Sequence, residues 1–117
     1  MLFHEFNVSG ETYKLRLTTR NVISLENKYG CSLLGLFGED EVPKLDVLIT
    51  IIHTAMQTYQ HGISYEDAFD IIDKWLDEGH NTTDLIYVVL DLFKVSGIIP
   101  KDVKIEQPAE GKKPKKN

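Results

Sequence analysis

At Thr18 the spacing of apolar residues changes, and that change divides what the two parts of the chain can become. Before it the period is two: Leu2, His4, Phe6 and Val8 alternate with Phe3, Glu5 and Asn7, as in a β-strand, with aromatics on both faces. Ser9-Gly10 supplies a turn, since glycine accepts the positive φ that a tight turn requires. Tyr13, Leu15 and Leu17 then alternate with Lys14 and Arg16, so one face is apolar and the other cationic. Two strands alone are marginal in water. The hairpin must therefore lie on helices or pair with another chain.

After Leu17 the period lengthens to that of a helix. Thr18 or Thr19 is placed to N-cap a helix through Tyr29, with Val22, Leu25 and Tyr29 on one face and Gly30 as its stop. Ser32 opens a short helical turn, Leu33 to Phe37, closed by Gly38. Glu39-Asp40-Glu41-Val42-Pro43 forms a loop whose acids suit the positive end of the next helix dipole. Proline fits there because its missing N–H costs nothing in a first turn. That second helix is expected to run to about His61 and stop at Gly62. Ser64, with Asp67 in the capping-box position, starts a third that Gly79 ends. Thr82 or Thr83 caps a fourth, Asp84 to Ser96, which Gly97 closes and Pro100 keeps from resuming. Val103 and Ile105 have the alternation of a brief strand.

Two of these helices hold more apolar surface than one buried stripe requires. In the second, Leu45, Leu48, Ile49, Ile52, Met56 and Tyr59 form the stripe, and Val47 and Ile51 lie to another side. In the fourth, Leu85, Ile86, Val89, Leu92 and Phe93 form the stripe, flanked by Val88, Leu90 and Val95. A helix apolar over so wide an arc is either central in the fold or meets a partner. The core is expected to centre on Trp75, Phe69, Ile72, Leu48, Ile52, Val89 and Phe93. The surplus residues Val47, Ile51, Val88 and Val95 are the candidate partner contacts. Glu66, Asp70, Asp73 and Asp77, spaced by four, three and four, share one face of the third helix, opposite Tyr65, Phe69, Ile72, Trp75 and Leu76. Glu66, Asp70 and Asp73 are the candidate polar rim. Such a row is a solvated face, one that meets a basic partner, or one that holds a hard cation, although no Asp/Asn-rich loop with a central glycine supplies the convergent ligands of a calcium site.

Charge is distributed unevenly. The chain of 117 residues carries −5 overall, yet residues 98–117 carry +3, which leaves −8 on residues 1–97. An acidic body argues against binding nucleic acid, because that affinity rests on neutralising phosphates. The stretch from Gln107 onward holds no apolar residue larger than Ala109 and is expected to be a disordered, solvated, lysine-rich tail. One cysteine, Cys31, excludes an internal disulfide and a multi-cysteine zinc site. No apolar run approaches the roughly 20 residues of a bilayer-crossing helix, and the first residues lack the basic and apolar regions of a signal peptide. The expectation is one reduced, soluble, intracellular domain.

No constellation points to catalysis, a cofactor or a metal. His4, His53, His61 and His80 do not converge, and neither an HExxH nor a His pair at i,i+4 occurs. Cys31 precedes a short helical turn, but a nucleophile also needs a base and an oxyanion hole, and neither can be traced. The glycines lie between elements and form neither GxGxxG nor GxxxxGK[ST]. An enzyme is not expected.

Three longer stretches go further than periodicity. YKLRLTTRNVISLENKYG (residues 13–30) resembles the opening of tail assembly chaperones from long-tailed phages and prophages of Gram-positive bacteria. VPKLDVLITIIHTAMQTYQHG (42–62) resembles that family's central helix, and DEGHNTTDLIYVVLDLFKVSG (77–97) its last. The resemblance implies a non-enzymatic protein of the host cytoplasm, absent from the mature virion. Such a protein binds the long, helical tape measure protein and keeps it soluble until the tail tube polymerises around it. In many phages a −1 frameshift near the end of the gene gives a longer product that recruits the tail tube protein, and the terminal Lys115-Lys116-Asn117 suits a slippery site. Self-association through hairpin edges or spare apolar arcs is a further expectation. The alternative is a small regulatory or adaptor domain that binds nucleic acid or protein through the basic tail.

The expected architecture is thus mainly α within the α+β class: an N-terminal β-hairpin, four main helices and a short one in residues 1–97, then a flexible basic tail in 98–117. Cofactors and metals are not expected.

Overall fold

The computed structural model describes residues 2–38 and 42–102 and has an α+β fold, a two-stranded antiparallel hairpin followed by four helices. Strand β1 (His4–Val8) pairs with β2 (Glu11–Leu15) in a register that sets His4 beside Leu15, Phe6 beside Tyr13 and Val8 beside Glu11. Ser9 and Gly10 join them with φ of 54° and 82°. Positive φ at both central residues is the two-residue turn that matches the twist of a hairpin. The turn is also tied down from outside, because the Ser9 N–H donates to Oε2 of Glu78 at 2.7 Å. Phe6, Val8, Leu15 and Leu17 are buried, so the hairpin lays one face on the helices as its marginal stability requires.

Helix α1 (Thr19–Tyr29) starts at Thr18, whose hydroxyl accepts from the Asn21 N–H while the Asn21 side chain accepts from the Thr18 N–H. It ends at Gly30, which takes the left-handed conformation. A single 3₁₀ turn (Leu34–Leu36) follows, with the Ser32 hydroxyl accepting from the Gly35 N–H. Helix α2 (Leu45–Met56) begins after Lys44 without a side-chain cap; α3 (Tyr65–Asp77) begins at Ser64, where Ser64 and Asp67 exchange bonds as the sequence pattern predicts. Helix α4 (Thr82–Val95) is capped by Asn81, which exchanges the same pair of bonds with Asp84. The expected cap at Thr82 or Thr83 is therefore one or two positions late. Asparagine competes for that role as well as threonine does.

Helix α2 stops at Met56, five residues short of the expected His61. The chain past Met56 serves β2 instead. Thr58 Oγ1 donates to the Arg16 carbonyl at 2.8 Å, and Gln60 bonds both the N–H and the carbonyl of Lys14. Helix α2 is the central element, touching α1, α3, α4 and β2. Its buried side chains are Leu48, Ile49, Ile51, Ile52, Ala55 and Met56, whereas Leu45 and Tyr59 from the expected stripe are exposed.

Of the seven residues expected at the centre of the core, Trp75, Ile72, Leu48, Ile52, Val89 and Phe93 are buried. Phe69 is not, being 37% exposed. The buried arc of α3 runs through Ala68, Ile72 and Trp75, which turns Phe69 and Tyr65 to the flank. Contacts with the body continue past Gly97: the Ile98 N–H donates to the Phe93 carbonyl at 2.8 Å, and Ile98 and Ile99 pack against the core. The acids Glu39-Asp40-Glu41, the strand expected at Val103 and Ile105, and the lysine-rich tail lie outside the described residues.

Candidate partner-binding surface

The four surplus apolar residues do not make a free surface. Ile51 is fully buried, and Val95 is 9% exposed. Val47 and Val88 are half-buried against the core. The cause is the central place of α2, which is covered on several sides and so needs apolar groups well beyond one stripe. At the end of α4, Arg16 donates to the Val95 carbonyl at 3.2 Å and the Leu17 N–H donates to Ser96 Oγ at 2.9 Å, so the chain leaving β2 is tied to the last turn of α4. Glu66, Asp70 and Asp73 are exposed.

Apolar surface is exposed elsewhere. On α3, Tyr65 and Phe69 lie one turn apart with ring centroids 4.7 Å apart, at 38% and 37% exposure. Tyr65 also meets His53 of α2 edge-on at 5.6 Å, and its hydroxyl lies 3.2 Å from Thr50 Oγ1. His53 is itself fixed, since its Nε2–H donates to the Ile63 carbonyl at 2.8 Å. The aromatic pair is therefore held by neighbours on its inner side and bare on its outer side. The row Glu66, Asp70, Asp73 and Asp77 runs beside it at the same helical spacing. A second apolar feature is a shallow groove between the starts of α2 and α4, lined by Val42, Pro43, Leu45, Leu48 and Ile86, of which Val42 is 67% exposed.

Polar chemistry at the surface is dispersed. His4 Nδ1–H donates to Asp91 at 2.6 Å, tying β1 to α4. The His80 imidazole stacks flat on Trp75, with centroids 4.1 Å apart and planes 6° from parallel. Cys31 is exposed. An open cleft between β2 and α3 is lined by Tyr13, Ile63, Asp67, Asp70, Ile71 and Lys74. Burial first, then the hydrogen bond to Glu11 and the charge of that carboxylate, hold the Tyr13 phenol above its ordinary pKa. Among the described residues no three His, Cys, Asp or Glu side chains gather as metal ligands would, and no helix is long and apolar enough to cross a membrane.

Reading the sequence for surplus apolar residues missed Tyr65 and Phe69, which fit a buried stripe as well as Ile72 does. The signal that separates them is Ala68: it is buried together with Ile72 and Trp75, and an arc drawn through these three leaves Tyr65 and Phe69 on its flank.

What fold and surface define together is a small hairpin-and-helices domain with a closed core and exposed aromatic groups on one helix. The chain belongs to a family of unknown function (DUF6096), whose model matches residues 6–111. No curated protein and no solved structure matches it.

Proposed function

We propose that this chain is a non-enzymatic tail assembly chaperone of the long-tailed phage type, acting in the host cytoplasm and absent from the finished virion. Its client is the tape measure protein, and recruitment of the tail tube protein belongs to the same assembly step. The observation that carries the reading is the Tyr65–Phe69 pair, two rings held from behind and bare in front. A helical client needs an apolar strip to lie on, and burying a large side chain is worth roughly 1.5–3 kcal/mol. The acidic row beside the rings supplies a polar rim that selects a client helix with basic flanks. The ordered resemblance of residues 13–30, 42–62 and 77–97 supports the same reading. It moves the client surface from Val47, Ile51, Val88 and Val95 to the exposed flank of α3.

Co-expression with the tape measure protein of the same genome tests this. The full chain should keep the client soluble, and Phe69→Ser should abolish that with the melting temperature unchanged. Client solubility that does not depend on the chain, or a gene without tail tube and tape measure neighbours, overturns the reading.

A further inference from the structure

The two rings of α3 lie in a strip that has carboxylates on both sides. The Ile63 carbonyl is bonded by His53 and Gln57 near the end of α2, while Tyr65, two residues later, reaches back to Thr50. Helix α3 therefore runs back along α2, so a turn forward on one lies beside a turn backward on the other. One turn past Tyr65 is Phe69. One turn before Thr50 is Asp46, whose carbonyl accepts from the Thr50 hydroxyl at 2.8 Å and whose side chain shares that face of α2. The rings thus have Asp46 of α2 on one side and Glu66, Asp70, Asp73 and Asp77 of α3 on the other, and all five acids are exposed.

Placed at helical steps around α3, Tyr65, Phe69 and the half-buried Leu76 fall within about 40° of one another, and Glu66, Asp73 and Asp77 form an equally narrow row on their solvent side. Asp70 lies a little further round, where with Lys74 it also lines the cleft toward Tyr13. From Tyr65 to Asp77 the strip is about 18 Å long, just over three helical turns. Its two halves differ, with the rings in the first and Asp73 and Asp77 in the second. An apolar strip with polar edges running parallel to it is the counterpart of the apolar face of an amphipathic helix. The charge on those edges favours a basic partner and penalises an acidic one.

We infer that this strip takes one amphipathic helix of a partner protein, just over three turns long, with Lys or Arg on both sides of its apolar stripe and more of them on the side that meets α3. The inference rests on the reading of the Tyr65–Phe69 flank as the docking surface, and it adds what the docked segment must contain. Large apolar residues sit over the two rings. Basic residues on one side reach Glu66, Asp73 and Asp77, and at least one on the other side reaches Asp46. A helix basic on one side only leaves one edge of the strip unmatched. Because all five acids are exposed, the charge contribution is screened by salt, whereas the contact with the rings is not.

NMR titration of the full chain with Ala-rich helical peptides of roughly 20 residues tests this. All carry the same Leu stripe; the first has Lys on both flanks, the second Lys on one flank, the third Glu on both. The first should shift the amides of residues 65–77 and 46–50 and bind at least about tenfold more tightly than the third, with the second between them. Asp73→Asn and Asp46→Asn, each with an unchanged melting temperature, should weaken the first peptide about two- to fivefold. Raising the salt concentration should narrow the gap between the first and third. Equal affinities for the first peptide and either of the others, shifts confined to other elements, or an affinity untouched by Asp46→Asn overturn the inference. So do shifts at Tyr65 and Phe69 on concentrating the chain alone, which assign the strip to a second copy. Nuclear Overhauser contacts from Phe69 to residues 103–117 assign it to the chain's own tail and overturn it as well. A client that stays soluble without the chain strikes the chaperone reading and leaves the peptide result standing, so the two fail separately.

Discussion

The side-chain amide of Gln60 grips the backbone of Lys14 from beyond the end of α2. Its Oε1 accepts the Lys14 N–H at 2.6 Å, and its Nε2 donates to the Lys14 carbonyl at 2.9 Å. One side chain thus satisfies both outward groups of a strand residue, as a neighbouring strand would. It connects two sequence features with no obvious relation, the early stop of α2 and the covering of the β2 edge at Lys14.

Gln60→Ala should therefore do two things. It should destabilise the fold by roughly 1–2 kcal/mol, the range for two modest hydrogen bonds at an exposed site. It should also raise the exchange rate of the Lys14 amide while leaving the Phe6 amide, bonded inside the hairpin, protected. Chemical denaturation and NMR exchange check the two arms. A Lys14 amide that exchanges no faster would mean that Gln60 merely lies near the strand.

Ile51 and Phe69 exchange the roles that periodicity suggests for them. Ile51→Ser removes a fully buried side chain and strands a hydroxyl at the centre of the fold, so a loss of roughly 3 kcal/mol or more is expected. Val95→Ser should lower stability by less, because Val95 sits in the last turn of α4. Phe69→Ser should leave it nearly unchanged. Thermal melts of the three variants rank them. A melting temperature unmoved by Ile51→Ser would return that residue to the surface.

Much of the fold is legible in the residues because local rules set it. The alternation before Thr18, the Ser64–Asp67 exchange and the glycine after Tyr29 each depend on neighbours within a few positions, and each appears where the sequence places it. What fails depends on distant partners. The end of α2 is set by β2, more than forty residues earlier, through Thr58 and Gln60. The burial of Ile51 is set by how many elements surround α2, which no period within α2 reports. The candidate surface failed for that reason: a surplus of apolar residues on a helix signals either a partner or a central position, and the sequence offers no way to count neighbours. The acidic row was legible as an exposed face, since four carboxyl groups at helical spacing have no cheaper place than water.

Trp75 should report on the join between hairpin and helices. Trp75 is 5% exposed, its ring lies 5.2 Å from that of Phe6 of β1, and His80 stacks on it at 4.1 Å. Trp75→Ala should cost about 3–5 kcal/mol by the cavity it leaves. His80→Ala should change the environment of the indole with far less cost, because His80 is exposed. Tryptophan fluorescence of the His80 variant and denaturation of both separate the stack from the core contact. Emission unchanged by His80→Ala would show that the stack does not persist in solution.

Tyr13 gives the fold an alkaline limb whose sign is fixed by its surroundings. Burial, the bond its hydroxyl donates to Glu11 at 3.0 Å, and the negative charge of Glu11 all favour the neutral phenol. Its pKa in the folded chain is therefore above the ordinary 10.0, the value expected once the chain unfolds. A group raised in this way contributes stability that is fully present below the unfolded pKa and is lost as pH rises through the folded one. Stability should thus fall as pH climbs past about 10, and Tyr13→Phe should flatten that part of the fall. Glu11→Gln keeps an acceptor but removes the charge, and should bring the titration of Tyr13 back toward the ordinary value. Phenolate absorbance against pH, compared among the wild type and both variants, isolates this residue from the other four tyrosines. A wild-type curve that superimposes on that of Glu11→Gln would mean that the carboxylate contributes nothing to the shift, leaving burial as its cause.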